Sequence, residues 1–322
     1  MSSLPAAPPD PSVPLALVMG ASRGLGLLLA EQLLARGHRV VIVSRTREDL
    51  ETAADLLRRR QPGAPVEVRV CDIADREAVV ALVEEVEDTL GPVEVLLTVA
   101  GTIQVGPVSA VTFEHFDEAL GGMLHGPVNV TLPVVERMRG RGHGRIGTIT
   151  SIGGKVAPPH LWPYATAKHG AVGFSEGLSA ELAGTGVTAT TVVPGLMRTG
   201  SHVRATFTGR AEHEYAWFGP AASLPLITMD ARRAARRIVT GVLAGDSHVV
   251  LTPLASVGIR VNGLMPRLTH RVLGIGARLL PDAAGPGPTL EGRVAARRLD
   301  SRVVRALTVL GTRAARRNNE QP

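Results

Sequence analysis

The chain has 322 residues, of which 44% are hydrophobic and 20% charged, and a formal net charge of +6. This length can bury a substantial core as one large α/β domain or two modest ones, and the composition is ordinary for a soluble globular protein. Aromatic residues make up only 3%, which argues against a base-stacking nucleic-acid platform. The single cysteine, Cys71, excludes a disulfide framework and favours a reducing, cytoplasmic location.

The positive charge is concentrated at the C-terminal end. From Arg260 onward there are twelve arginines and four acidic residues, a net charge of +8, so the preceding 259 residues sum to −2. The main body therefore lacks the basic charge that nucleic-acid binding requires. We expect no nucleic-acid partner, and no metal site is predicted.

Residues 1–13 are rich in proline and lack both a basic start and an apolar core. They are predicted to be a disordered tail rather than a signal peptide. The longest charge-free run, Val95 to Phe113, contains two glycines, a glutamine and a proline. That composition is typical of a strand entering a loop, and no membrane-spanning helix is predicted.

Short β-branched runs alternate with amphipathic segments along the chain. Seven strands are predicted, at 15–20, 39–44, 66–71, 93–100, 144–151, 186–194 and 247–252. Helical patterns separate the first four, at 25–37, 47–60 and 76–90. Most strands lack polar alternation, as expected where helices cover both faces of a parallel sheet. We therefore predict a doubly wound α/β, Rossmann-type fold with a seven-stranded, mostly parallel sheet over residues 14–252.

The second half of the chain is less regular. Residues 198–229 interrupt the alternation and hold four of the nine aromatic side chains. Residues 253–322 are predicted to be a helical, Arg-rich extension: one or two amphipathic helices at 255–280, interrupted at Pro266, then a linker at 281–289 and a helical segment at 290–317. The first helices could pack on the sheet edge, lie on a membrane surface or form a subunit contact.

A glycine-rich turn follows the first strand and opens the first helix. Its glycines are Gly20, Gly24 and Gly26. Glycine allows a tight turn and close approach of a pyrophosphate, which the helix N-terminus attracts with free N–H groups and its dipole. The context, strand then turn then helix, predicts a dinucleotide site.

The end of the second strand indicates which dinucleotide binds. A carboxylate about 20 residues past the turn would hold the ribose 2′-hydroxyl of NAD, whereas an arginine accommodates the 2′-phosphate of NADP. Here Ser44 and Arg45 occupy that place, with no acidic residue before Glu48, and Arg23 lies in the turn. NADP(H) is favoured over NAD(H). The alternative is that both arginines are merely solvated.

Tyr164 and Lys168 are four residues apart, so on a helix they lie on one face. Ser151 precedes this pair by thirteen residues, and Lys168 is one of only two lysines in the chain. A phenol beside a titratable ammonium indicates proton transfer. A core tyrosine beside a surface lysine is the alternative.

These motifs together resemble the short-chain dehydrogenase/reductase family. The resemblance runs in order from about residue 14 to 252 and is carried by "GASRGLG", "CDI" at 71–73, "VAG" at 99–101, Ser151, "YATAK" at 164–168 and "PGLMRT" at 194–199. It implies an NAD(P)-dependent oxidoreductase that interconverts a carbonyl and a secondary alcohol. It also implies a homo-oligomer.

The resemblance assigns roles to individual residues. The catalytic residues would be Ser151, which holds the substrate oxygen, Tyr164, the general acid/base, and Lys168, which lowers the pKa of the phenol and holds the nicotinamide ribose. The residues expected to bind the cofactor are Gly20, Ser22, Arg23, Gly24, Leu25, Gly26, Ser44, Arg45, Asp72, Ile73, Ala100, Gly101, Tyr164, Lys168, Pro194, Gly195 and Thr199.

Two positions depart from the family pattern. Thr98-Val99-Ala100-Gly101 stands where "NNAG" is usual, and Met123 stands where the family has its fourth catalytic residue, an asparagine that orders a water next to the lysine. Asn129 lies almost two helical turns away, and His125 is more readily explained as a helix histidine. A dinucleotide-binding protein with little turnover is therefore the alternative function.

Segment 198–229 is where this family builds its substrate lid. Together with the region before Tyr164 it supplies aromatics that would line an apolar pocket for a bulky or lipophilic small molecule: Trp162, Tyr215, Trp217 and Phe218. The same side chains could equally be core or oligomer contacts.

Residues 290–322 carry no motif of the family, so catalysis is not expected to depend on them directly. Apolar residues at helical spacing among arginines, such as Val303, Leu307 and Leu310, would fit peripheral contact with the inner, anionic face of a membrane. Packing of this helix on its own protein is the favoured alternative.

Overall fold

A computed structural model describes residues 12–225, 227–282, 285 and 287–320. The predicted N-terminal tail, residues 1–13, lies almost wholly outside the described residues, and so does part of the predicted linker at 281–289.

The strands lie in three sheets. In chain order they are β1 (Leu15–Met19), β2 (Arg39–Ser44), β3 (Val66–Val70), β4 (Val93–Thr98), β5 (Gln104–Val105), β6 (Gly144–Ile149), β7 (Val187–Val193), β8 (Met197–Arg198), β9 (Thr206–Phe207), β10 (Met229–Asp230), β11 (His248–Val250) and β12 (Leu290–Glu291). Within the described residues, the main sheet has seven strands in the order β11-β7-β6-β4-β1-β2-β3, all paired in parallel. The predicted seven-stranded sheet is confirmed.

Helices follow most of the strands. In chain order they are α1 (Gly24–Leu34), α2 (Arg47–Arg60), α3 (Arg76–Leu90), α4 (Phe113–Leu120), α5 (Gly126–Arg141), α6 (Trp162–Glu181), α7 (Ala211–Ala221), α8 (Ala231–Ala244), α9 (Pro253–Leu264), α10 (Pro266–Ala277), α11 (Gly292–Leu299) and α12 (Arg302–Arg317). A π-helical turn, Gly121–His125, joins α4 to α5.

The main sheet is buried on both faces, which explains its near-continuous hydrophobic strands. In β1, Ala16 and Val18 enter one core with side chains of α1, α2 and α8. Leu15, Leu17 and Met19 enter the other core with side chains of α3 and α5. This is the predicted doubly wound Rossmann-type architecture. The direction in which successive strands are added to the sheet reverses between β1 and β4.

The C-terminal extension pairs and packs with the rest of the fold. Strand β12 pairs antiparallel with β9, and β9 pairs with β5, so the extension completes a small sheet. Ala295 of α11 is buried in one apolar cluster with Phe207 and Phe218 of the segment 198–229. Helices α11 and α12 both contact α7.

Candidate functional site

A cavity of about 550 Å³ opens at the carboxyl ends of β1, β2, β4, β6 and β7. It adjoins the reversal between β1 and β4, which is where open α/β sheets bind ligands. Most of the predicted site residues line it: Gly20, Ser22, Arg23, Leu25, Gly26, Ser44, Arg45, Asp72, Ile73, Ala100, Gly101, Ser151, Tyr164, Lys168, Pro194, Gly195 and Thr199. The tertiary structure thus brings together segments that are almost 180 residues apart.

Ser151, Tyr164 and Lys168 lie at one end of this cavity. Ser151 follows the end of β6 by two residues, and Tyr164 and Lys168 lie one turn apart on α6. The side chains of Tyr164 and Ser151 are hydrogen-bonded. The Lys168 ammonium donates to the Ile149 carbonyl at 2.8 Å and lies 6.0 Å from the centroid of the Tyr164 ring.

Burial dominates the protonation of both groups. It raises the pKa of Tyr164, and the hydrogen bond with Ser151 opposes this rise. Burial lowers the pKa of Lys168 to about 8, because a buried ammonium loses its hydration. The resemblance implies that Lys168 lowers the pKa of Tyr164. In this structure the net effect of the surroundings is instead to raise that pKa.

Met123 lies in the π-helical turn and is buried beside Tyr164. It packs with Tyr164 and Ala167. Its Sδ is 2.9 Å from where a Cβ on Gly101 would be, so the two residues are in close contact. Asn129 instead donates to the Ile73 carbonyl at 3.1 Å, and His125 is exposed and outside the cavity lining. Apolar sulfur thus occupies the place next to Lys168.

The glycine-rich turn has no room for side chains. Gly20 has φ of +90°, and a Cβ on it would lie 2.6 Å from the Ala100 amide nitrogen. A Cβ on Gly26 would collide with the Gly20 carbonyl oxygen. Helix α1 starts at Gly24 without a side-chain cap at Arg23, which leaves its first N–H groups for other acceptors. This is the cradle that a pyrophosphate needs.

The end of the cavity beside β2 carries both positively and negatively charged side chains. Arg23 pairs with Asp49 at 3.0 Å, and Arg45 lies 3.9 Å from Asp72. The Ser44 hydroxyl is buried and has no hydrogen-bond partner among the described residues. These polar groups are available to the ribose end of a dinucleotide. Asp49, which the sequence reasoning did not single out, also lines this end.

The predicted substrate aromatics are dispersed. Phe218 lines the cavity, whereas Trp162, Tyr215 and Trp217 are outside the lining among the described residues. Trp162 is 53% exposed and stacks edge-on against Phe116, and Tyr215 is buried against Phe207. Trp217 donates from its indole nitrogen to Glu214, which also bonds His160. Tyr215 is therefore a core side chain, one of the two alternatives to a substrate contact.

Three residues at the C-terminal end reach the site, although no motif pointed to them. The Gly24 amide donates to the Asn318 carbonyl at 2.7 Å, and the Asn319 side chain donates to the Ser22 carbonyl at 2.9 Å. Glu320 lines the cavity and lies 3.9 Å from Arg23. Burial raises the pKa of Glu320 to about 7, against the pull of Arg23 and Arg204. These contacts span almost 300 residues, so local patterns carry no signal for them.

Within the described residues, no helix is long and apolar enough to cross a bilayer, and no group of three His, Cys, Asp or Glu side chains is arranged to hold a metal ion.

Comparison with known proteins places this site in a family. The family model for short chain dehydrogenases matches residues 14–207. A putative ketoacyl reductase of Streptomyces coelicolor is 39% identical over 186 residues, which are 57% of this chain and 70% of that protein. The 3-oxoacyl-[acyl-carrier-protein] reductase FabG of Escherichia coli is 30% identical over 185 residues, 58% of this chain and 74% of that protein.

Solved structures agree with the sequence comparisons. A variant of actinorhodin polyketide ketoreductase with NADPH superposes with a TM-score of 0.65 at 30% identity, over 76% of this chain and 97% of that one. A short-chain dehydrogenase from Streptomyces avermitilis superposes with a TM-score of 0.69 at 27% identity, over 84% and 98%. The chain therefore belongs to the short-chain dehydrogenase/reductase family of NAD(P)-dependent oxidoreductases.

Proposed function

We propose that the protein is an NADP(H)-dependent reductase that converts the carbonyl group of a bulky or lipophilic substrate into a secondary alcohol, with Tyr164 as the general acid. The observation that carries the proposal is that Ser151, Tyr164 and Lys168 open onto the same cavity as the glycine-rich turn. Two relatives, both ketoacyl reductases by name, support a carbonyl substrate and the direction of reduction.

The residues of this chain would handle the substrate oxygen and the proton. When bound, the reduced dinucleotide supplies the hydride that the carbonyl carbon accepts. Ser151 holds the carbonyl oxygen by a hydrogen bond, and Tyr164 gives that oxygen its hydroxyl proton as the C=O π bond breaks. Lys168 holds a positive charge below its pKa of about 8 and so stabilises the phenolate that remains.

The preference for NADP(H) is supported by the end of β2. Ser44, Arg45 and Arg23 line the cavity, and no carboxylate directly follows the strand. Asp49 and Asp72 neutralise the two arginines only partly, since each acidic side chain is at least 29% exposed. A 2′-phosphate placed between the arginines would gain charge-assisted hydrogen bonds.

The substrate end is largely apolar. Ile103, Ile152, Leu196, Phe218 and Ala222 line it near Ser151 and Tyr164. Such walls hold a lipophilic carbonyl compound, with Ser151 and Tyr164 as its polar anchors.

A panel of lipophilic ketones and 3-oxoacyl thioesters, followed by the absorbance of NADPH and of NADH, tests the proposal. We expect turnover that is faster with NADPH. The rival function, a dinucleotide-binding protein without turnover, rests on Met123 alone. Tight binding of NADPH without oxidation by any of these substrates would favour the rival.

A further inference from the structure

Helices α9 and α10 form a helical hairpin that the proposed reaction does not use. Of all side chains in the hairpin, Ala255 alone among the described residues is buried. Nine large apolar side chains from Leu254 to Leu279 are exposed, including Leu264, Leu268 and Ile275 at 81%, 51% and 61%. Apart from the adjacent Leu264 and Met265 they recur at intervals of three and four residues, so each helix presents an apolar stripe.

The charges around this stripe have one sign. Residues 253–280 contain Arg260, Arg267, Arg271 and Arg278, all exposed, and no aspartate or glutamate. A second copy of the chain packed face to face by two-fold symmetry would bring arginines against arginines without an acidic partner. An anionic bilayer surface instead offers negative headgroups to the arginines and an acyl boundary to the apolar stripe.

The hairpin is held against the catalytic region. The Asn262 side chain donates to the Lys155 carbonyl at 2.8 Å, and Gly258 faces Ile152, which lines the cavity next to Ser151. We propose that the α9–α10 hairpin docks the protein on the surface of an anionic membrane, with the substrate end of the cavity beside the bilayer. The consequence for substrate, a carbonyl compound dissolved in the membrane, rests on the proposed function.

Sedimentation with vesicles tests this docking in the full-length protein. Vesicles of phosphatidylglycerol and phosphatidylcholine should carry the protein down at low salt and release it at high salt, because salt screens the arginines. The variant Leu268→Asp/Ile275→Asp should bind at least about tenfold more weakly, since acidic groups on the stripe oppose insertion. Val303→Asp/Leu307→Asp, a matched change on α12, should bind like the unmodified protein.

Light scattering without vesicles measures the oligomeric state of the unmodified protein and of the hairpin variant. Failure of the unmodified protein to bind the vesicles, or equal binding by the hairpin variant, would overturn the proposal. A hairpin variant that instead falls to a smaller oligomer would show that a second copy covers the stripe, and this outcome also rejects the membrane. Loss of vesicle binding with turnover of soluble ketones retained separates this inference from the proposed function.

A second inference rests on the C-terminal residues 318–320, which we name the strap. The strap crosses the glycine-rich turn. The Asn318 carbonyl accepts a hydrogen bond from the Gly24 amide, the first of α1. The Asn318 side chain donates to the Thr199 carbonyl at 3.0 Å. Arg204 donates to the Glu320 carbonyl oxygen at 3.0 Å.

The carboxylate of Glu320 lies against Gly24 at the start of α1 and is 6% exposed. This is the positive end of the helix, where the phosphates of a dinucleotide would bind. A pyrophosphate bound here would have to displace the Asn318 carbonyl from the Gly24 amide and would meet the Glu320 side chain, which occupies the space next to Gly24. We infer that the strap competes with the cofactor and must move before NADP(H) binds, an inference that rests on the proposed cofactor site.

Titration of NADPH fluorescence with the full chain tests the competition. Glu320→Ala and Glu320→Gln should each lower the Kd for NADPH by about fivefold or more, because less of the protein is held in the strapped state. Asp300→Asn removes an exposed acid from the same extension and should leave the Kd unchanged.

Unchanged or weaker NADPH binding in both Glu320 variants would overturn the inferred competition between the strap and the cofactor, while the cofactor assignment would stand. Absence of NADPH binding in every form would overturn the cofactor assignment and the strap together.

Discussion

At the scale of single residues, Tyr164 carries the most specific prediction. Tyr164→Phe removes only the hydroxyl proposed to donate the proton, so turnover should fall by at least about a thousandfold, while the Kd for NADPH should stay within about threefold. Tyr215→Phe is the matched control, because Tyr215 is the other tyrosine of the chain and is buried outside the cavity lining. Steady-state rates and cofactor titrations measure both effects. Retention of most activity by Tyr164→Phe would refute its role as the acid.

Lys168 gives the reaction a pH dependence. Its pKa is lowered to about 8 by burial, so the side chain is charged below pH 8 and loses its proton as the pH rises through that value. If the ammonium stabilises the phenolate, kcat should decline on the alkaline side of pH 8. Lys168→Arg keeps the charge to much higher pH and should move this decline upward. An alkaline limb that stays in place in Lys168→Arg would mean that another group titrates.

Arg45 tests the choice of cofactor. Its side chain is 63% exposed, so Arg45→Ala should not disturb the fold. A charge-assisted pair with phosphate contributes on the order of 1–3 kcal/mol, so the Kd for NADPH should rise about 5- to 150-fold while that for NADH barely changes. Arg47→Ala, on the neighbouring turn and 64% exposed, is the control. Equal affinity of the unmodified protein for NADPH and NADH would contradict the preference.

At the scale of elements, His202 links the docking of α12 to pH. It lies in the 3₁₀ turn Ser201–Val203 against Gly311, and both ring nitrogens are buried without a partner among the described residues. Burial lowers its pKa to about 4. The folded protein thus keeps His202 neutral where the unfolded chain, with an ordinary pKa of 6.5, takes up a proton. Stability should be lost progressively as the pH falls from 6.5 towards 4.

His202→Leu should remove that loss and raise stability at pH 5 by on the order of 1–2 kcal/mol, since a buried polar ring without partners is replaced by an apolar side chain. Thermal unfolding at pH 7.5 and pH 5 measures the difference between the two proteins. His270→Leu, at an exposed position on α10, is the control. If the Tm falls by the same amount between pH 7.5 and pH 5 in His202→Leu and in the unmodified protein, groups other than His202 cause the loss of stability.

At the scale of the whole molecule, the extension is part of the folding unit. The sequence predicts that catalysis does not depend directly on residues 290–322. The structure adds that they are part of the fold, since β12 pairs with β9 and Ala295 is buried with Phe207 and Phe218. Ending the chain at Thr289 should expose this cluster and lower the Tm by more than about 5 °C. Calorimetry should show one transition in the full-length protein. A separate early transition would indicate that the extension unfolds by itself.

The sequence by itself determined the parallel sheet, the glycine-rich turn and the pairing of Tyr164 with Lys168. Each depends on backbone geometry over a few residues: hydrophobic runs covered on both faces, glycines where a Cβ has no room, and two side chains one helical turn apart. The domain boundaries and the roles of the site residues remain predictions of that pattern.

The tertiary structure alone decided which distant groups meet. Asp49 pairs with Arg23, Met123 packs beside Tyr164, Tyr215 joins a core, and Glu320 reaches the start of α1. Such contacts depend on how helices and loops that are distant in sequence pack together, so no local pattern encodes them. Burial then sets the pKa values of Lys168 and Glu320, because desolvation exists only once the surrounding residues have assembled.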